Sequence, residues 1–258
     1  AILDPILIFG LGPVPALGIA GAAYATVIAW SISICFLFYH LAYRLNFITL
    51  IPPMKKDFMS SAIGMLKIGI PAAGANMMTP LATGIMTSIA AGFGNEAVSA
   101  LGVGARLEPL ATLIILAMSS SLPPIISQNF GAGELGRIES VYSMAVRFIV
   151  GWQLLIYLAL FVTANPIANI FSDDPSVRDT IVLYLSILPL AYGCQGIIIL
   201  TNSSLNAMHK PIAALYLSIA RFFLFYVPFA FIGSQLYGLH GFFVGTAAAN
   251  VCMSAVSL

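Results

Sequence analysis

The feature that most limits what this chain can become is a succession of apolar stretches, each long enough to cross a lipid bilayer. Residues 18–43, 67–93, 97–130, 138–164, 177–207, 211–234 and 240–258 read as seven spans separated by short polar turns. A helix needs about 20 mainly apolar residues to cross the hydrocarbon layer. Irregular backbone is excluded from lipid, because its polar groups would go unpaired. Only 7% of the residues are charged and 60% are hydrophobic, against roughly 25% charged in a soluble domain. The chain is therefore expected to be all-α, a polytopic transmembrane bundle.

The punctuation is specific. GFGNE, GAGELGR, NPIANIFSDDPS, AMHKP and SQLYGLH are read as turns, and Leu11–Ala16 with Pro13 and Pro15 as a further one. The span 97–130 is too long for one straight crossing, and Pro109, Pro123 and Pro124 predict kinks in it. Residues 44–66 form a linker with the one dense cationic cluster, Arg44, Lys55 and Lys56, and 57–66 read as an amphipathic helix in the interface. Counting alternate turns puts Arg44, Lys55, Lys56, Lys67, Arg137 and Lys210 on one side. Arg178 stands on the other among Asp173, Asp174 and Asp179. Excess Lys and Arg mark the cytoplasmic side, so the cell (inner) membrane is the expected location. Both ends fall inside apolar stretches, which predicts an N-terminally truncated piece of a longer chain.

Several function classes find no support. A net charge of +1 gives no basic field for nucleic acid. Cys35, Cys194 and Cys252 lie in apolar runs with no metal spacing, and His40, His209 and His240 fall at span ends. There is no Gly-rich nucleotide loop ending in Lys-Ser/Thr and no nucleophile–base motif. An enzyme and a bound cofactor are not expected; a small-molecule substrate and the bilayer are, with a monomer as the assembly.

An internal repeat is present. PALGIAGAAYATVIA and QLYGLHGFFVGTAAAN align Gly18, Gly21 and Thr26 with Gly238, Gly241 and Thr246, 220 residues apart. Small residues at that spacing let helix backbones approach closely. Both copies run in the same direction across the membrane, and parallel halves of this kind are a transporter architecture. The expected division is 1–43 as the last helices of a first lobe, 44–66 as the linker and 67–258 as a second six-helix lobe.

Four further strings carry a resemblance: LDPILIFG before PALGIAGAAYATVIA, then KIGIPAAGANM, then ALGVGARLEPLA with SQNFGAGELGRI, then LNAMHKP. In this order and spacing the chain resembles the multidrug and toxic compound extrusion (MATE) transporters over essentially its whole length. The resemblance implies twelve helices in two lobes around a central cavity. It implies export of amphiphilic, often cationic, compounds in exchange for H⁺ or Na⁺. The nearest rival is a flippase of the same superfamily acting on lipids or lipid-linked sugars; a fragment inactive by itself is a third reading.

Asp4 is the leading candidate for coupling. An ionisable group in an apolar segment is a functional hypothesis by default, and burial raises a carboxyl pKa. The resemblance assigns Asp4 to a first-lobe cation site with Thr26. The alternatives are that Asp4-Pro5 punctuates a helix and that Thr26 bonds its own backbone. The resemblance also aligns Thr79 and Gln195 with a second-lobe carboxylate pair; both are neutral, which favours coupling through the first lobe. Glu108 and Arg106 lie within a span and cannot face each other. Glu108 either lines a second-lobe cavity or sits solvated at its outer mouth. Asn76, Gln195 and Asn202 read as substrate contacts or as interhelical ties. Met77, Met78, Met86 and Met118, with Tyr192 and Phe225, read as an adaptable binding wall or as packing. Arg147 and Arg221 are expected to snorkel to the cytoplasmic side.

Overall fold

The computed structural model describes residues 3–10, 15–44 and 55–258. The turn at 11–14 and the linker at 45–54 lie outside the described residues. The chain falls into two compact units, Ala1–Ala62 and Ile63–Leu258.

In the first unit, α1 (Leu3–Phe9) ends at Gly10, whose φ of +72° suits a residue without Cβ. Helix α2 (Gly18–Tyr39) follows and runs into a π-helical turn at His40–Arg44. The Leu17 N–H donates to the Leu7 carbonyl at 3.0 Å. At Gly21, an added Cβ would overlap the Leu7 carbonyl, so glycine is what allows α1 and α2 to touch. Apart from Gly21 and Ala25, which are buried, α2 is apolar around its circumference and largely exposed: Ile19 is 95% exposed and Trp30 69%. A helix like that is a lipid-facing span.

The second unit opens with α3 (Lys55–Ala91), of which Ile63 onward belongs to it, with Pro71 and Pro80 inside. The expected interfacial segment 57–66 is thus helical and continuous with the span after it. Next come α4 (Asn95–Ala111) and α5 (Leu113–Gly131), divided at Thr112. The break shows that 97–130 is not one straight helix. Pro109 supplies no N–H to the ladder, and at the break the Thr112 N–H and hydroxyl both go to the Glu108 carbonyl, at 2.8 and 2.7 Å. Helix α6 (Leu135–Val162) is followed by a short helix, α7 (Ala164–Phe171), where a turn was expected. Pro166 sits in the first turn of α7, where its missing N–H would have had no helical partner. Ala164 and Ala168 bury one stripe of α7 in the core.

Asp174 caps α8 (Pro175–Ile187), accepting from the Ser176 N–H at 2.9 Å. A 3₁₀ turn at Leu188–Ala191 leads into α9 (Tyr192–Ala207). Helix α10 (Pro211–Ile219) passes through a π-helical turn, Ala220–Tyr226, into α11 (Val227–Ser257). Helix α11 is broken at Tyr237 and Gly238, the latter at φ +59°, which is where the last two expected spans meet.

Among the described residues the interior is small or polar at the crossings and apolar outside them. Phe242, Phe243, Tyr184, Leu185 and Ile181 pack with Ala97, Ala100 and Ala230; a second cluster holds Ile115, Leu122, Ile126, Ile149 and Leu200. Gln153, by contrast, is 2% exposed and donates to the Ala111 carbonyl at 3.0 Å. Polar groups inside with large apolar groups outside is what lipid selects. Among the described residues, six stretches are long and apolar enough to span: Gly18–Arg44, Phe58–Ala91, Leu113–Gly131, Leu135–Val162, Pro175–Ala207 and Pro211–Ser257.

The sequence repeat has matching local structure in each unit. Gly18 and Gly238 both have positive φ, +55° and +59°. Added Cβ atoms on Gly21 and Gly241 would each overlap a backbone carbonyl, of Leu7 and of Gly233. The Thr26 and Thr246 hydroxyls each donate to the carbonyl four residues back, at 3.0 and 2.8 Å.

Candidate functional site

The second unit encloses a cavity of about 760 Å³. Its wall is drawn from α3, α4, α5, α8, α9, α10, the π-helical turn and α11. Of the expected cavity residues, Asn76, Thr79, Glu108, Tyr192, Gln195 and Asn202 line it, and Met78 does not. Met86 lines it as well; Met77 is 61% exposed and Met118 packs beside the second cluster. Phe225 is not on the wall.

Glu108 reaches the cavity from α4, half-buried, one residue before the proline that weakens that helix. Its Oε1 accepts from Gln195 Nε2 on α9 at 2.8 Å. This is the partner a carboxylate inside a span requires. Glu108 thus lies on the cavity wall, half-buried and facing a neighbouring helix. Arg106, two residues earlier, is exposed.

Arg221 corrects an expectation. It does not snorkel: it is 9% exposed, lines the cavity and donates to Asn250 Oδ1 on α11 at 3.2 Å. The reason lies in the π-helical turn that carries it. That wider turn changes which faces of the helix point inward. The guanidinium carbon lies 4.9 Å from the Phe222 ring centroid. Arg147 stays exposed, bonding Ser143 Oγ at 2.8 Å.

Aromatic faces complete the wall. The Tyr184 and Tyr192 hydroxyls are 3.5 Å apart, and Tyr226 meets Phe222 edge to face at 5.7 Å. A Cβ at Gly104 would overlap the Tyr184 ring, so glycine lets that ring lie against α4. Asn202 donates to Ser218 Oγ at 3.2 Å. The residues that sequence reading missed are Arg221, Asn250, Tyr184 and Tyr226. Asn250 had a signal: it stands one turn after Thr246, so two polar groups share one face of an apolar helix.

In the first unit, Asp4 lies in the first turn of α1, partly buried, and Thr26 sits on α2 bonded to its own backbone. Among the described residues no group of three or more His, Cys, Asp or Glu is placed to hold a metal ion.

An all-α bundle with lipid-length helices, proline breaks and a cavity inside is the architecture of a multi-pass membrane protein. The MatE family profile matches residues 71–232, and the chain belongs to that family, whose members are transporters and not enzymes. It is 36% identical over 256 residues to an FAD transporter of Shewanella oneidensis, covering 98% of this chain and 56% of that protein. It is 28% identical over 243 residues to the multidrug export protein MepA of Staphylococcus haemolyticus, covering 93% and 52%. The crystal structure of the Vibrio cholerae MATE transporter VcmN superposes with a TM-score of 0.89 at 35% identity, over 99% of this chain and 57% of that one. The chain thus spans about half the length of the relatives it matches.

Proposed function

We propose that this chain is the C-terminal part of a secondary antiporter of the cell (inner) membrane, a monomer that exports flat amphiphilic molecules in exchange for H⁺ or Na⁺. The observation that carries this is the cavity of the second unit: its size suits a drug-sized ligand, and its wall combines tyrosines with Glu108–Gln195 and the Asn76, Thr79 and Asn202 side chains. Asp4 and Thr26 are the proposed coupling residues, and the neutral Thr79 and Gln195 agree with coupling outside the second unit. For coupling to work, the ion must bind the inward-open and outward-open states differently. One relative is a multidrug export protein and another an FAD transporter. The flippase reading calls for a strongly cationic cavity, and this wall carries one arginine and one glutamate.

The test is ethidium and FAD movement by the full-length parent in proteoliposomes under an imposed pH gradient without Na⁺. Uptake that dissipates the gradient, and that Asp4→Asn abolishes in a folded protein, supports proton coupling at Asp4. Uptake unchanged in Asp4→Asn removes that residue from the mechanism. No uptake of either compound, with or without Na⁺, overturns the exporter reading.

A further inference from the structure

A guanidinium buried without a counter-ion is costly, because it loses its hydration and gains no opposite charge. Arg221 is close to that position, with no carboxylate in contact among the described residues. Its partners are the neutral Asn250 amide and the Phe222 ring. Its Nε is buried and has no acceptor among the described residues. Glu108, the other charge on the wall, bonds Gln195 and acts on the guanidinium at longer range, without an ion pair. A second group on the same wall is also unfilled: Asn202 donates from Nδ2 to Ser218, while its buried Oδ1 has no donor among the described residues. Ser218 precedes Arg221 by three residues, so both groups border the start of the π-helical turn.

We propose that Arg221 and Asn202, with Asn250 orienting the guanidinium, form a subsite for the phosphate of a flat aromatic substrate whose rings lie against Tyr184, Tyr192 and Tyr226. The vacancies select this chemistry. Among the described residues, Arg221 Nε lacks an acceptor and Asn202 Oδ1 lacks a donor. A carboxylate supplies acceptors only, whereas a singly protonated phosphate monoester supplies both. The second phosphate pKa is about 6, so that form is within reach near neutrality. Arginine is the side chain best matched to phosphate oxygens. The proposal rests on the exporter reading above and narrows its cargo.

The test uses the full-length parent, purified in detergent, in equilibrium dialysis against flavin mononucleotide and riboflavin, which share a ring and differ by one phosphate. The native protein is expected to bind the mononucleotide at least about tenfold more tightly. Arg221→Gln is expected to bring it down to the riboflavin level, a larger loss than that variant's loss of riboflavin binding, with Arg221→Lys between. Equal binding of both flavins by the native protein overturns the subsite, as does an equal loss of both in Arg221→Gln. If that variant does not fold, the ratio in the native protein decides. Displacement of the mononucleotide by phosphatidic acid in preference to free phosphate esters would assign the subsite to lipid and overturn the aromatic cargo. Riboflavin and ethidium binding without a preference for the mononucleotide defeats the subsite alone; binding of none of the three defeats the exporter reading with it.

Discussion

Glu108 and Gln195 are 87 positions apart in the sequence and meet at 2.8 Å on the cavity wall. The bond ties α4 to α9 and holds a carboxylate on the cavity wall. A hydrogen bond to a charged group contributes about 1.5–3 kcal/mol, and every 1.4 kcal/mol is about tenfold in binding. Glu108→Gln keeps a partner for Gln195 but removes the charge. Ethidium affinity of the full-length parent is expected to fall about tenfold or more, with folded yield unchanged. An unaltered affinity would reduce the pair to an interhelical tie.

Close backbone approach gives a second prediction. Gly241 touches the Gly233 carbonyl and Gly104 touches the Tyr184 ring, so a methyl at either position must displace something. Overpacking of this kind costs about 1–3 kcal/mol. Gly241→Ala and Gly104→Ala should lower the thermal midpoint in detergent. Gly69→Ala and Gly151→Ala, where a Cβ meets nothing within 4 Å, should not. Gly241 is the harsher case, because its obstacle is backbone and cannot swing aside.

Span length was legible in the sequence because lipid imposes it, and so were the proline break near Pro109 and the glycine repeat that reappears at Gly18 and Gly238. The inner wall was legible only in part. Glu108, Gln195 and Asn202 stand out as polar letters in apolar runs, but so does Arg221, and an arginine that snorkels has the same sequence context as one that is buried. What separates them is a π-helical turn, and nothing in ARFFLFY announces a change of helical register. The α7 helix was missed for a related reason. ANPIANIF has the composition of a turn, yet its alanines are four apart and the core takes both.

The Asp174 cap gives a pH prediction. The Ser176 hydroxyl donates to its carboxylate at 2.8 Å and the Ser176 amide at 2.9 Å, and both bonds hold its pKa below the ordinary 3.8. The folded-state pKa is the lower one, so the contribution is complete above 3.8 and is lost as pH falls through the depressed value. Asp174→Ala should therefore unfold earlier than the native protein between pH 5 and 7. The gap between the two melting midpoints should close only below the ordinary carboxylate range. A gap that closes already near pH 6 would assign the effect to another group.

The bond between Tyr142 on α6 and Thr201 on α9, 2.7 Å long, tests how much a hydrogen bond between spans contributes in this fold. The Thr201 hydroxyl also lies 2.8 Å from the Ile197 carbonyl, so it keeps an acceptor when the tyrosine is removed. Tyr142→Phe should then cost less than the loss of an isolated buried hydroxyl bond. Tyr142→Phe, Thr201→Val and the double variant make a double-mutant cycle. The expected coupling is about 0.6 kcal/mol, the average for such pairs in a membrane protein, and below the observed maximum of about 1.7 kcal/mol. Measured by denaturant titration in detergent, a coupling of zero would mean that packing alone holds α6 on α9. A value well above 2 kcal/mol would mean that the pair acts within a larger polar network, the nearest further member being the Ser257 carbonyl at 3.4 Å from the same hydroxyl.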